Sequence, residues 1–396
     1  MPHRGDIMAK AIKSSKKKTA FVLSGGGSRG AYQIGVWKAL TELGWEFDMV
    51  VGVSVGSLNG AMVVQNQQYL AENLWRDLET DHIFDVASDA QTADFALEFI
   101  KQGGAGSHGL KKFVDSYIDD HVIRESKIDF GLLVVEFPSM TPHYLWKKDI
   151  PKGKIGDFVM ASSSAFPAIQ AYDIDGKKYI DGGFEDVMPI HMAVKKGATD
   201  IVAVYLQAIG KFEREKELAS AKGLNLTLIE PKWDLGNFLL FDKANTARIM
   251  RLGYADAMKA FGVYDGEAYT FIKGEIEKRH LKGAEAAAKI FELDPLILYG
   301  KNTLLEHLSD SVGKVRSGTK SIKSALDILM ASITKKDNNA LDIGALKSAN
   351  RKLLTVAIAK DIETNGISSV FLNRYALRIA HDEILAARFI QAMELI

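Results

Sequence analysis

Twice within the first 64 residues an apolar extended run breaks at glycine and passes directly into a helical run, and nothing else in this chain constrains its fold as strongly. Residues 19–24 (TAFVLS) are apolar and β-rich and stop at Gly25-Gly26-Gly27; residues 31–43 then carry Ile34, Ala39 and Leu43 at helical spacing. Residues 47–53 read as a second buried strand, and residues 57–64 as a helix that follows almost without a loop. Two β–turn–α units in succession call for a parallel or mixed sheet covered by helices on both faces. At 396 residues and 47% hydrophobic, the chain can bury such a sandwich and has length to spare.

Further along, residues 68–79, 92–102 and 110–119 read as helices, and residues 130–137 and 143–146 as strands. Asp175-Gly176 suits a tight turn with positive φ between the extended flanks 171–174 and 177–180, which predicts a hairpin. Residues 201–206 and 224–229 complete the expected strands. All five Trp and seven of eight Pro precede residue 235, and the remainder is helix-permissive. Leu346, Leu353, Leu354, Ala357 and Ile358 share one helical face, as do Phe371, Tyr375, Ile379, Phe389 and Met393. Packing among C-terminal helices accounts for both stripes, with a lipid-facing or partner-facing stripe as the alternative. The expected organisation is a basic tail over residues 1–18, a catalytic domain over 19–265 and an all-α region over 266–396.

Gly25-Gly26-Gly27-Ser28-Arg29-Gly30 matches G-x-G-x-x-G between a strand and a helix, the context of a dinucleotide site. It offers several backbone N–H groups, unobstructed by Cβ atoms, at a helix N-terminus that favours negative charge. A dinucleotide site also needs an acid closing the second strand, and that position holds Gly52-Val53-Ser54-Val55-Gly56 instead. G-x-S-x-G on a strand-to-helix turn is a nucleophile elbow, where small neighbours permit a strained backbone and push a serine hydroxyl outward. Ser54 is therefore the candidate nucleophile, with the glycine loop as a source of oxyanion donors. Two bases are open. Ser54, Asp181 and His191 follow the α/β-hydrolase order, although only one strand precedes the elbow. Alternatively Asp181, at a strand end and followed by Gly182-Gly183, acts alone; a plain turn Asp is the structural alternative.

The ordered set Gly25 to Gly30, Gly52-Val53-Ser54-Val55-Gly56, Ala161-Ser162-Ser163-Ser164-Ala165-Phe166-Pro167 and Asp181-Gly182-Gly183 resembles the patatin-like phospholipases over about residues 19–265. The resemblance implies an α/β fold, a three-layer α/β/α sandwich with a mixed, mostly parallel sheet, followed by the all-α region. It implies a Ser-Asp dyad without a catalytic histidine. Ser54 is then the nucleophile, Asp181 the base, and the amides of Gly25, Gly26, Gly27, Ser28 and Arg29 the oxyanion hole. Gly30, Gly52, Gly56, Gly182 and Gly183 are the motif glycines. The implied activity is hydrolysis of phospholipid or lysophospholipid esters. A neutral-lipid or generic carboxylesterase and a non-catalytic lipid-binding scaffold are the alternatives.

Composition sets the outer bounds. With no cysteine, a thiol nucleophile, Cys-ligated zinc and iron–sulfur clusters are excluded. The other histidines are scattered without an i,i+4 pair, and Asp119-Asp120 and residues 85–89 lack calcium-loop spacing, so neither a metal nor an organic cofactor is expected. Fifty basic against fifty acidic residues leave no global field for nucleic acid. Arg4, Lys10, Lys13, Lys16, Lys17 and Lys18 against Asp6 make the tail basic, a means of weak contact with anionic lipid. No apolar core follows it, and the uncharged run 49–71 contains Ser54, Ser57, Asn59 and four amide residues, so neither a signal peptide nor a membrane span is expected. The expected location is cytoplasmic, with peripheral membrane contact left open; oligomeric state has no signal in the sequence.

Overall fold

A computed structural model describes residues 17–83, 108–317, 350–372 and 374–396. The expected helix 92–102, most of the basic tail, residues 85–89, Leu346 and the Tyr375 side chain lie outside the described residues. The chain divides into two compact units, one running to Pro231 and including Leu235–Met250, the other formed by Lys232–Asp234 and Arg251–Ile396.

The first unit is built on an eight-stranded sheet. Its strands are β1 (Thr19–Leu23), β2 (Met49–Gly52), β3 (Asp129–Phe137), β4 (Thr141–Trp146), β5 (Tyr172–Ile174), β6 (Lys177–Asp181), β7 (Asp200–Val204) and β8 (Asn225–Ile229). The order is β5-β6-β3-β2-β1-β7-β8, with β4 also on β3. The run from β3 through β2, β1 and β7 to β8 is parallel, and β4, β5 and β6 add antiparallel pairs. Asp175 and Gly176, at φ 54° and 85°, make the β5–β6 turn expected of Asp-Gly.

All residues of β1 and β2 are buried, as a parallel strand covered on both faces requires. On one face Ala20, Val22, Met49 and Val51 pack with Ile190, Met192 and Ala193 of the helix α8 (Ile190–Lys195). On the other, α2 (Val55–Val64) lies close to the sheet, with Val50 and Phe130 side chains 3.1 and 3.3 Å from where a Cβ on Gly60 would stand. The helices preceding α8 are α1 (Ala31–Glu42), α3 (Gln68–Asp77), α4 (Thr80–Ile83), α5 (His108–Tyr117), α6 (Asp120–Glu125) and α7 (Ile155–Ser162), and α9 (Arg214–Ser220) follows it. The expected three-layer α/β/α sandwich is what forms.

The second unit is mainly helical, from α10 (Lys243–Ala260, begun in the first unit) through α11 (Leu281–Ile290), α12 (Lys301–Ser317), α13 (Arg351–Asn365) and α14 (Arg374–Ile379) to α15 (His381–Ala392). Leu354, Ile358, Phe371 and Phe389, from the two apolar stripes, are buried in one core with Leu304, Leu308 and Ile384, so the stripes pack inward. The strand signal does not end at residue 229, however. β9 (Tyr264–Asp265), β10 (Thr270–Ile272) and β11 (Leu298–Tyr299) form a small sheet here. Strands of two or three residues are too short to show a period of two, which is why their sequence gives no sign of them. No described helix is long and apolar enough to cross a membrane.

Candidate active site

Ser54 joins β2 to α2 with φ 56° and ψ −130°, a left-handed backbone that costs on the order of 1–3 kcal/mol in a residue with a side chain. Close packing imposes it: a Cβ on Gly52 would collide with the backbone of Gly56, and one on Gly56 with the Leu23 carbonyl. Hydrogen bonds then hold it. The Ser54 N–H donates to Ser162 Oγ at 3.0 Å, and that hydroxyl donates to the Leu133 carbonyl at 2.9 Å. The Ser57 hydroxyl donates to the Ser54 carbonyl at 2.7 Å. The Ser54 side chain remains partly exposed at the start of α2.

Asp181 ends β6, where it sits opposite Val134 of β3. Its N–H donates to the Ser164 carbonyl at 2.9 Å, and its carboxylate accepts from the Gly183 N–H at 2.7 Å. The Ser54 side chain lies close enough to the same carboxylate to favour its ionised form. Only 6% of Asp181 is exposed, and this burial pushes its pKa up to about 6, against the opposing pull of the nearby Ser54 side chain and the Gly183 N–H. Gly182 allows the chain to pass the Leu133 carbonyl, where a Cβ would collide.

The glycine loop lies against Ser54: a Cβ on Gly25 would stand 3.2 Å from Ser54 Cβ. Of the five residues expected to supply oxyanion donors, three have their N–H groups engaged. Gly25 donates to the Val187 carbonyl at 3.0 Å, Ser28 to Phe238 at 2.8 Å and Arg29 to Gly26 at 3.2 Å. The N–H groups of Gly26 and Gly27 have no partner among the described residues, and neither has that of Val55 at the first position of α2. Gly27 needs to be glycine twice over, with φ 55° and the Phe238 carbonyl where a Cβ would stand. Arg29 points away from this chemistry. Its guanidinium donates to the carbonyls of Gly236 and Gln207, both at 2.9 Å, and of Leu206 at 3.4 Å, tying the loop to two distant segments. Gly30 makes room for Val55 and Trp75, whose side chains a Cβ would meet at 2.5 and 2.8 Å.

Ser54 and Asp181 open onto a cavity of about 470 Å³ whose wall is mostly apolar, including Leu58, Trp75, Phe113, Phe166, Phe238 and Phe241. His191 is not part of it. Its Nδ1 and backbone N–H both bond the Glu217 carboxylate, at 2.9 and 2.8 Å, and its ring meets Tyr144 edge-on. The triad order therefore does not assemble in space; Asp181 reaches Ser54 without a histidine between them.

Two groups of side chains bring potential metal-ligand atoms together among the described residues: Glu79, Asp81 and His82 at the surface, and the more buried Asp186, His191 and Glu217. In the second, Glu217 is committed to His191 and Asp186 Oδ1 accepts from the Met188 N–H at 2.9 Å. Burial raises the pKa of Asp186 most, with the Glu217 charge adding to it.

The sequence reading did not single out Ser162 as the anchor of Ser54, the Val55 N–H, or residues 206–207 and 236–238, which hold the glycine loop. Val55 follows the elbow serine directly, so the motif itself could have suggested it. The contacts of residues 206–207 and 236–238 span some 200 positions and have no local signature.

Residues 21–194 match the family model of the patatin-like phospholipases. Curated relatives include a lysophospholipase NTE1 of Scheffersomyces stipitis, 26% identical over 51% of this chain and 12% of the relative, and one of Coccidioides immitis, 27% identical over 52% and 13%. The alignments thus cover about an eighth of those relatives' length. Among solved structures, VipD from Legionella pneumophila aligns over 96% of this chain and 91% of its own at TM-score 0.42 and 14% identity. Over residues 21–194, then, the chain carries a domain of the patatin-like phospholipase family.

Proposed function

We propose that this protein is a lipid acyl hydrolase that cleaves carboxylic esters of phospholipids or lysophospholipids through an acyl-serine intermediate. The observation that supports this best is the juxtaposition of Ser54 with buried Asp181 on the wall of a largely apolar cavity. Ser54 Oγ attacks the ester carbonyl while Asp181 takes its proton, and the proton then goes to the departing alcohol. Partial desolvation makes the carboxylate a stronger base than one in water, which this transfer needs. The N–H groups of Gly26, Gly27 and Val55 are the donors proposed for the oxyanion, in place of the full run Gly25 to Arg29. Each such donor is worth about 10²–10³ in turnover. Water repeats the cycle on the acyl-serine and releases the acid.

The apolar wall suits an acyl chain, and the proposal extends to peripheral contact with a lipid surface. Ile209 and Phe184 border the cavity and are 81% and 41% exposed, and they are the side chains offered for that contact.

Labelling with a fluorophosphonate followed by peptide mapping tests the assignment. The adduct is expected on Ser54 and absent from Ser54→Ala; folded protein without it overturns the reading and leaves a lipid-binding scaffold. Asp181→Asn is expected to lower turnover by more than about 10³-fold, while His191→Ala stays within a few-fold of wild type. The reverse result would reinstate the triad. A panel of phospholipids, lysophospholipids and neutral glycerides, compared by kcat/KM, separates the proposed substrates from a general esterase.

A further inference from the structure

The Ser163 hydroxyl is a polar group of the site to which the dyad gives no task. Among the described residues, its Oγ is the only buried side-chain nitrogen or oxygen without a hydrogen-bond partner. The residue is 8% exposed and lines the cavity together with Ser54 and Asp181, and its Oγ, shielded in this rotamer, meets a ligand there only after turning about χ1. Its neighbours are fully engaged. Ser162 Oγ takes the Ser54 N–H and donates to Leu133, while Ser164 Oγ donates to the Met160 carbonyl at 2.9 Å. The main chain of Ser163 is engaged too, its N–H with the carbonyls of Val159 and Met160 and its carbonyl with the Ala165 N–H, all at 3.1 Å. A buried hydroxyl left unpaired is a net cost to the fold, one that alanine would avoid.

Its position suggests what would pair with it. Ser162 grips the backbone of Ser54, and Ser164 accepts the backbone N–H of Asp181, so Ser163 lies at the seam between the two halves of the dyad. A serine hydroxyl turns among three staggered positions and both donates and accepts. The alcohol oxygen that leaves and the water oxygen that enters occupy the same place, next to the base. A water there needs two or more polar partners, and beside Asp181 the apolar side chains of the cavity wall, such as Leu58, Phe166 and Phe238, offer none.

We propose that Ser163 Oγ binds the reacting oxygen that the enzyme does not carry: that of the leaving alcohol in acylation and that of water in deacylation. This rests on the Ser54–Asp181 reading and extends it. In acylation the Ser163 O–H donates to the bridging ester oxygen; the carbon–oxygen bond breaks and that oxygen takes the proton held by Asp181. In deacylation one proton of water passes to Asp181 as the water oxygen bonds to the acyl carbon, and the other O–H donates to Ser163 Oγ. The bond from the acyl carbon to Ser54 Oγ then breaks, Ser54 Oγ recovers the proton from Asp181, and the free acid departs.

A p-nitrophenyl ester separates the two steps, because its phenolate leaves without help from a hydrogen bond. In Ser163→Ala, first-turnover release of p-nitrophenol is expected to stay within about twofold of wild type. Decay of the acyl-enzyme, followed by intact mass, is expected to slow about tenfold, the worth of one hydrogen bond. Ser163→Thr, which keeps a hydroxyl, should recover most of the decay rate. Equal decay in wild type and Ser163→Ala, or equal slowing of both steps, overturns the proposal. If wild-type protein forms no acyl adduct on Ser54, the dyad reading itself fails, a result distinguishable before any variant is compared.

Discussion

Asp181 meets two opposed demands, and the conflict has measurable consequences. To accept a proton it has to be ionised, yet its burial favours the neutral form and raises its pKa to about 6. With Asp181 as the base, kcat/KM is expected to be flat above that value and to fall about tenfold per pH unit below it. A pH–rate profile on a non-ionising ester checks this; a single acid limb near pH 4 would mean that the base is an ordinary exposed carboxylate. Stability follows the opposite sign. A carboxyl whose folded pKa lies above its unfolded one costs stability once ionised, so the cost is absent below about pH 4 and complete above pH 6. The shift from 3.8 to about 6 corresponds to about 3 kcal/mol. Asp181→Asn is therefore expected to raise the melting temperature by several degrees at pH 8 and to leave it nearly unchanged at pH 4. Ser54 and Asp181 are legible in the sequence because their glycine neighbours are local. The partners of Ser54 are not: Ser162 lies 108 positions away.

The elements around the dyad act as clamps on strained or exposed backbone. Ser162, at the last turn of α7, satisfies both the Ser54 N–H and the Leu133 carbonyl. Ser162→Ala leaves both buried groups unpaired, which predicts a loss of about 1–3 kcal/mol in chemical denaturation and a matching fall in turnover as the elbow relaxes. In the glycine loop, Gly27→Ala meets both a left-handed φ and the Phe238 carbonyl. Displacing the loop removes oxyanion donors, and kcat is expected to fall by about 10²–10³ with the fold intact by circular dichroism. At this scale the sequence was readable where elements are long or punctuated by glycine, as for β1, α1, β2 and the β5–β6 turn. It was silent on α7, where six of eight residues are buried, and on α9, with its charged opening Arg214-Glu215-Lys216-Glu217 and one buried residue, because two turns of helix buried nearly all round or hardly at all have little periodicity to show.

For the molecule as a whole, zero formal net charge means that contact with a lipid surface depends on local features. Ile209 is the most exposed of the apolar side chains bordering the cavity. Ile209→Asp is expected to lower hydrolysis of long-chain esters in zwitterionic vesicles about tenfold or more, since inserting such a side chain is worth about 1.5–3 kcal/mol, and to leave a soluble short-chain ester within about twofold. Equal loss on both substrates would count against membrane contact. The sequence by itself determined the parallel core of the sheet, the elbow at Ser54, the strand-end carboxylate at Asp181 and the helical character of the second unit. These follow from short-range chemistry: side-chain period, the missing Cβ of glycine, the turn preference of Asp-Gly. Only the tertiary structure decided that Asp181 reaches Ser54 directly while His191 turns to Glu217, that Arg29 ties down the glycine loop, and that Ser163 is left unpaired. Those outcomes depend on which distant backbone groups meet when the sheet closes, and no local pattern encodes such a meeting.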